Sequence, residues 1–569
     1  MVLAKDIFKE FKEHSVSEFF RKNAAMLGYT GKIRSLTTVI HEGVTNAIDA
    51  AEDAGILPEI FVTIKELDGS NHYKVIIEDN ASGIPEEYIP RVFGRMLAGT
   101  KLHRNIQSRG QQGIGISGSV MFSQSTSGEP TKVMSSTGDG EIVSYEVMID
   151  VEKNEGKIMN QKTMEGDWRG TRIEFEIKDV LYHRSRYGPY NYLRMTAMAN
   201  PHLQIRFLEP DGSFTIFERA TEEIPERPEP ITPHPAGVRA DDLLALSKLT
   251  KSRSIGTFLV NELSRFSRNR LEELEEKIDV DLDEEPSELT WNKAEKIVSA
   301  FKEIDFMSPP TKGLRPIGEE KIERGLEQVL DPEFAYATTR SPEVYSGGIP
   351  FIIETGIAYG GNAGAGSNSE EEKGMELLRF ANRAPLIFNQ GGCAVRAAAR
   401  DIDWRRYNVD PEKTPISLFI NVVSVHVPYT SAGKQSVAEE PEIYEDIRQA
   451  IMQSARKLKS FLRGKIKKKE RRERAGIFKK YLPIIVERAA KIAGKDSPDP
   501  DPLIKEIAGA EEFKEWMEEQ YEEEKDEEPK DEDGEFTEEF LEWIEERGGK
   551  DLAKEYKEEA KEKGGESNE

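Results

Sequence analysis

The chain of 569 residues carries 105 Asp and Glu against 79 Lys and Arg, a formal charge of −26, with 37% hydrophobic residues and mean hydropathy −0.60. At roughly 150 residues per domain this length accommodates three or four domains with sizeable cores, which excludes disorder throughout. No run of 18 apolar residues offers a transmembrane helix, so no membrane partner is expected, and the lone Cys393 excludes an intramolecular disulfide or multi-cysteine zinc site.

Residues 1–22 are polar and helix-prone, with Ile7, Phe8, Phe11, Phe19 and Phe20 along one side, and read as an arm. No apolar signal core lies at this end, so export is not expected and a reducing cytoplasm fits. Residues 35–54 place Leu36, Val39, Ile40, Val44, Ala47, Ile48 and Ala51 at helical spacing, with Gly55 as a stop. Runs at 59–66 and 73–79, joined by Asp68-Gly69-Ser70-Asn71, predict a β-hairpin; further strands are expected at 141–151, 171–177 and 203–208. Five prolines between Ile224 and Ala236 read as a linker. Residues 238–305 read as wholly helical, with segments near 240–250, 254–278 and 290–304. Mixed structure returns over 311–440, with a glycine-rich loop at 360–366 and an apolar strand from Ile416 to Val427. A long helix is expected from about 441, and short helices between disordered acid-rich stretches beyond 495.

Chemistry concentrates in four places. Glu42, Asn46 and Asp49 sit at i, i+4 and i+7 among small residues, on one helix face. A carboxylate can take a proton from water there, and an amide oxygen is a hard ligand suited to Mg²⁺, although a solvated face is the plainer reading of this helix alone. Asp79 ends a strand, with Gly83 four residues on. Gly110-Gln111-Gln112-Gly113-Ile114-Gly115 opens a helix-like Ile116–Phe122, where backbone N–H groups can bind phosphate. The polar segment before it, with Thr100, Lys101, Arg104 and Arg109, is not the strand that a dinucleotide fingerprint requires, so a lid over phosphates fits better. Finally, Gly170-Thr171 opens a strand with a hydroxyl at its start.

In this order the four motifs resemble those of the Bergerat-fold ATPases, which include gyrase, the ninety-kilodalton chaperones, histidine kinases and the mismatch-repair MutL proteins. The resemblance implies that Glu42 is the general base, Asn46 the Mg²⁺ ligand, and Asp79 the reader of the adenine amino group beside Gly83. It further implies nucleotide contacts from Asp49, Thr100, Lys101, Thr171 and the loop Gly110, Gln111, Gln112, Gly113, Ile114, Gly115, Ile116 and Ser117. Downstream, Tyr429-Thr430-Ser431-Ala432-Gly433-Lys434-Gln435 is similar to the transducer loop that sends a lysine to the γ-phosphate in gyrase-like and MutL-like ATPases. The whole order is similar to the B subunit of the archaeal type IIB DNA topoisomerases.

The expected architecture is therefore a multidomain α/β (α+β) chain. It comprises an arm at 1–22, a Bergerat-fold α/β sandwich at 23–224, a linker at 225–236 and a helix–two turns–helix domain at 237–307. An α/β transducer with a long basic helix follows at 308–480, then an acidic, partly disordered region at 481–569. The implied cofactors are ATP and Mg²⁺. The implied partners are duplex DNA without sequence preference, a DNA-cleaving topoisomerase VI A subunit in an A2B2 heterotetramer, and a second copy of the chain upon ATP binding. The expected location is cytoplasmic, at the nucleoid. A MutL-like or chaperone-like clamp without a cleavage partner is the alternative. The charge of −26 is not hostile to DNA: residues 501–569 hold 29 acids and 10 bases, leaving −7 for the rest, and Arg456–Lys480 holds 13 bases and 2 acids. That stretch, and Lys248, Lys251, Arg253, Arg265, Arg268 and Arg270, are candidate phosphate contacts.

Overall fold

A computed structural model of the chain describes residues 24 and 28–508 except 70, 97–105, 111–112, 151–152, 366–373, 389–390 and 432; beyond them it describes 514, 517–518, 521, 529, 536–548, 553–554 and 556. The expected arm at 1–22 and the site candidates Thr100, Lys101, Gln111 and Gln112 lie outside the described residues. The chain divides into two units, Met1–Lys459 and Ser460–Glu569.

The first unit opens with α1 (Lys32–Ala54), which buries the apolar stripe from Leu36 to Ala51 and stops at Gly55 in the left-handed region. β1 (Glu59–Glu66) and β2 (Tyr73–Asp79) form the expected hairpin, pairing Ile60 with Asp79. The short α2 (Ile89–Gly94) and then α3 (Gly115–Ser127) precede β3 (Thr131–Thr137), β4 (Glu141–Asp150), β5 (Glu155–Glu165) and β6 (Arg169–Ile177). Helix α4 (Pro189–Ala199), β7 (Gln204–Leu208) and β8 (Phe214–Phe217) complete an eight-stranded sheet in the order β5-β4-β3-β6-β2-β1-β7-β8. All its neighbours are antiparallel except β1 and β7. Alternate residues, among them Val75 and Ile77 of β2 and Val143, Tyr145, Val147 and Ile149 of β4, share one core with α1, α3 and α4. The period-2 pattern of a strand thus sets a two-layer α/β sandwich. Gly43 permits close approach of the layers, since a Cβ there would fall 2.4 Å from Ile77 Cδ1.

Strands β3, β5 and β8 and helix α4 were not expected from sequence. β5 is exposed along most of its length, and so lacks the apolar alternation that marks a half-buried strand. The helical region holds four helices, α5 (Ala240–Ser247), α6 (Ile255–Glu262), α7 (Arg268–Glu275) and α8 (Trp291–Phe301), around a core that includes Phe258, Leu259, Leu274 and Phe301. The single helix expected over 254–278 is broken between α6 and α7, where Arg265 adopts φ 60°. A left-handed residue cannot continue a right-handed helix.

Helix α9 (Glu319–Leu330) then packs on a six-stranded sheet made of β9 (Phe334–Thr339), β10 (Glu343–Tyr345), β11 (Ile349–Tyr359), β12 (Met375–Ala381), β13 (Ala384–Pro385) and β14 (Ile416–Ser424). β14 is buried at every residue, which explains its unbroken apolar run. The short α10 (Ala394–Arg400) lies between β13 and β14, and α11 (Pro441–Ala493) begins by burying Ile443, Ile447, Ile451 and Leu458. The two sheets are tied together: Met195 and Met198 of α4 share a core with Ile322 and Leu326 of α9 and Phe419 of β14.

In the second unit α11 continues past 480 to Ala493, followed by α12 (Asp501–Ala508) and α13 (Glu538–Gly548). Ile504, Met517, Tyr521, Phe540, Trp543, Ile544 and Tyr556 form a core, with Leu482 of α11 against it. Among the described residues, the short helices α12 and α13 thus share a core built largely of aromatic side chains.

Candidate functional site

Between α1, the end of β2 and α3 lies a cleft of about 880 Å³, a size suited to a nucleotide-sized ligand. Glu42 and Asn46 of α1 line it, as helical spacing requires of residues four apart. Asp79 lines the opposite wall, because its register on β2 puts it on the helix-covered face with Val75 and Ile77. The Asp79 carboxylate is nine-tenths buried; its Oδ1 accepts from the amides of Ala81 at 3.0 Å and Thr171 at 3.1 Å. Burial pushes its carboxyl up from 3.8 to about 6, against the pull of those two amides. With Oδ1 doubly engaged, Oδ2 is the oxygen left for a ligand.

Two glycines make this corner possible. Gly83 has φ 72°, and a Cβ on it would meet Ser136 O at 2.0 Å; Gly170 has φ 140°, and its Cβ would meet Asp79 O at 2.0 Å. Ser135 Oγ donates to Gly170 O at 3.1 Å, accepts from Ile84 N at 2.8 Å and lies 3.3 Å from the Thr171 hydroxyl. The strand partners β3 and β6 thus fix the floor of the cleft.

Gly110, Gly113, Ile114, Gly115 and Ile116 line the cleft at the start of α3. Gly115 lies against the Glu42 carboxylate: a Cβ there would fall 1.9 Å from Glu42 Oε2. Ser117 is buried and does not line the cleft; its hydroxyl donates to Ile114 O at 3.4 Å. Asp49 also departs from the expectation. Two turns along α1 from Glu42, it is buried and bonded to Arg109 at 2.5 Å, so its carboxylate serves an ion pair rather than the cleft.

Lys434 reaches the cleft from the second sheet. The Tyr429–Val437 bridge and the Thr430 N to Ser436 O bond pinch its loop, and Gln435 Oε1 accepts from Phe388 N at 3.2 Å. Lys434 Nζ donates to Arg109 O at 3.2 Å, beside Gly110. Desolvation lowers the pKa of this ammonium, opposed by the charges of Glu42 and Asp49. A partly desolvated cation held by a single carbonyl is poised to take a stronger anionic partner.

Tyr29 and His41 have no site role in the sequence reading. Tyr29, whose hydroxyl lies 3.0 Å from Ser119 Oγ, and His41, edge-on to Tyr192, both line the cleft. His41 adjoins Glu42 in the motif of α1, a signal that could have found it, whereas Tyr29 stands outside the motifs and only the cleft identifies it. Among the described residues no group of three or more His, Cys, Asp or Glu could hold a metal unaided. The donor set fits Mg²⁺ held by one amide oxygen together with phosphate oxygens and water. No helix among the described residues is long and apolar enough to cross a membrane.

Two family models match the chain. Residues 31–179 match the family described as "Histidine kinase-, DNA gyrase B-, and HSP90-like ATPase", and residues 309–474 match "Topoisomerase VI B subunit, transducer". The chain is 52% identical over 554 residues to the B subunit of type 2 DNA topoisomerase 6 from Pyrococcus horikoshii, covering 89% of this chain and 96% of that one. The protein of the same description from Pyrococcus furiosus is 51% identical over 555 residues, covering 89% and 95%. That from Methanothermobacter thermautotrophicus is 50% identical over 509 residues, covering 89% and 97%.

Proposed function

The chain belongs to the topoisomerase VI B-subunit family, and on that premise we propose how its cleft divides the work of ATP hydrolysis. As a member of that family it is the ATP-driven subunit of a type IIB DNA topoisomerase, and the solitary-clamp alternative is not favoured.

Glu42 acts as the general base that takes a proton from the attacking water. Asn46 holds Mg²⁺, which when bound neutralises phosphate charge and orients the γ-phosphoryl group. Asp79 Oδ2 accepts from the adenine amino group, while the backbone at Gly83 lies beside the base and Thr171 braces the carboxylate through its amide. The backbone amides of Gly110, Gly113 and Gly115 and the start of α3 surround the phosphates. Lys434 leaves the Arg109 carbonyl for the γ-phosphate, so that the position of the second sheet depends on whether ATP or ADP is bound. The observation that carries this reading is that one cleft gathers Glu42, Asn46, Asp79 and the glycine loop from the first sheet domain and Lys434 from the second.

ATP binding then joins two copies of the chain around a DNA duplex, and α11 carries the motion to a DNA-cleaving A subunit in an A2B2 assembly. Phosphate contacts come from Lys248, Lys251, Arg253 and Arg268, all exposed on the helical domain, and from the basic stretch of α11. Glu42→Ala tests the core of this reading: it should bind ATP and fail to turn it over, and undiminished turnover would remove Glu42 from the base role.

A further inference from the structure

The stem of the glycine loop, residues 106–110, belongs to the first sheet domain by sequence but is held largely by the second. Gln107 N donates to Gly313 O at 3.1 Å, and Arg315 N donates in return to Gln107 Oε1. Ser108 O accepts from Asn382 Nδ2 at 3.2 Å, and Arg109 O accepts from Lys434 Nζ. The Arg109 guanidinium, almost wholly buried, turns the other way, onto α1. It donates to Asp49 at 2.5 Å, to both oxygens of Glu52 at 2.8 and 3.2 Å, and to Asn200 Oδ1 at 2.5 Å. Glu52 completes the junction by accepting from Arg383 of the second sheet and contacting His202, each at 2.9 Å.

Arg383 occupies the two-residue turn between β12 and β13 with Asn382, and both have positive φ, 68° and 49°. Positive φ at both residues is what a two-residue hairpin turn of type I′ requires, a conformation natural to Asn382 and less so to Arg383. Here Asn421 Oδ1 accepts from Arg383 N at 3.1 Å, and Asn382 is bonded to Ser424 and Ser108. The turn is thus rigidly mounted on β14 and aimed at the loop stem. Two guanidinium groups and two carboxylates balance in the junction while His202 is neutral. Gln107 Nε2, Arg109 Nε and Arg383 Nε find no acceptor among the described residues.

We propose that Arg383 and Arg109, joined through Glu52, are positioning residues that fix the stem of the glycine loop to the second sheet, so that stem and sheet move as one piece. The inference rests on the reading of Gly110–Gly115 as the phosphate loop. It means that motion of the second sheet on hydrolysis draws the stem with it and opens the path for ADP, rather than withdrawing Lys434 alone.

The test measures steady-state ATP hydrolysis and release of a fluorescent ADP analogue by the full chain and by Arg383→Met, Arg383→Lys, Lys434→Ala and the Arg383→Met/Lys434→Ala pair. Networks of this kind carry couplings that translate to about tenfold in rate. Arg383→Met should lower kcat by about that factor with KM within about threefold, and should change the rate of ADP release. Arg383→Lys, which keeps the charge at Glu52, should restore both. The double variant should be no slower than Lys434→Ala, because the two act through one stem position. Wild-type kcat and ADP release in folded Arg383→Met, or losses that simply multiply in the double variant, would overturn the proposal. If Arg383→Met does not fold, Gln107→Ala cuts the same stem at its Arg315 tie and is read by the same criteria. Glu42→Ala separates the two readings. Its retained turnover would remove the cleft assignment, whereas its loss of turnover beside an unaffected Arg383→Met would remove this proposal alone.

Discussion

Gly115→Ala separates catalysis from stability at the proposed base. The added methyl would sit 1.9 Å from Glu42 Oε2 and 2.7 Å from its Cδ, where ordinary contact begins near 3.4 Å. The shortfall is 3.4 − 1.9 = 1.5 Å, and the yielding partner is the free end of a flexible side chain rather than backbone. Misplacing a reacting group by about 1 Å costs on the order of 10²-fold, or about 2.7 kcal/mol of barrier. The fold should not suffer. Gly115 begins α3 and is not among the positive-φ glycines, so alanine is compatible with its backbone. The expected result is a kcat about 100-fold down, with a melting temperature equal to that of the parent. Steady-state hydrolysis at saturating ATP, beside thermal denaturation followed by circular dichroism, measures both. A kcat within about threefold of the parent would mean that Glu42 works from a position clear of Gly115, and would refute the reasoning.

Gly83→Ala should behave in the opposite way. Its Cβ meets backbone at Ser136, and the left-handed conformation alone costs about 1–2 kcal/mol in an alanine, so denaturant unfolding should show a loss of at least about 2 kcal/mol. Asp79 gives a pH dependence. Protonation below about 6 turns Oδ2 from acceptor to donor, so KM for ATP should rise as pH falls through that value, and Asp79→Asn should abolish the inflection. The same raised pKa stabilises the ligand-free fold at low pH. That contribution, about 3 kcal/mol, is complete below 3.8 and lost as pH rises through about 6; a pH series of unfolding free energies for parent and Asp79→Asn reads it out. Lys434→Ala should bind ATP and ADP with more nearly equal affinity, and unchanged selectivity in a calorimetric titration would dismiss its role as a sensor.

Much of the cleft was legible because its parts are local. The helix that carries Glu42 and Asn46 announces itself by the stripe from Leu36 to Ala51, and the strand that ends in Asp79 by its alternation and by the turn before it. Strand β5 was not legible, since an exposed edge strand has no apolar face to impose a period. The break after α6 was also hidden, because nothing local to Arg265 announces its positive φ.

The order of the motifs, the class of the fold and the short-range residues that share a face are written in the chain, since helical and strand periods are properties of neighbouring residues. What the polar side chains do followed from the packing of the layers. It turned Asp49 from a candidate ligand into the partner of Arg109, brought Lys434 to a cleft built by the first two hundred residues, and joined Glu52 to Arg383 across two sheets. Ion pairs and hydrogen bonds of that range depend on how layers stack, and layer stacking leaves no period in the chain.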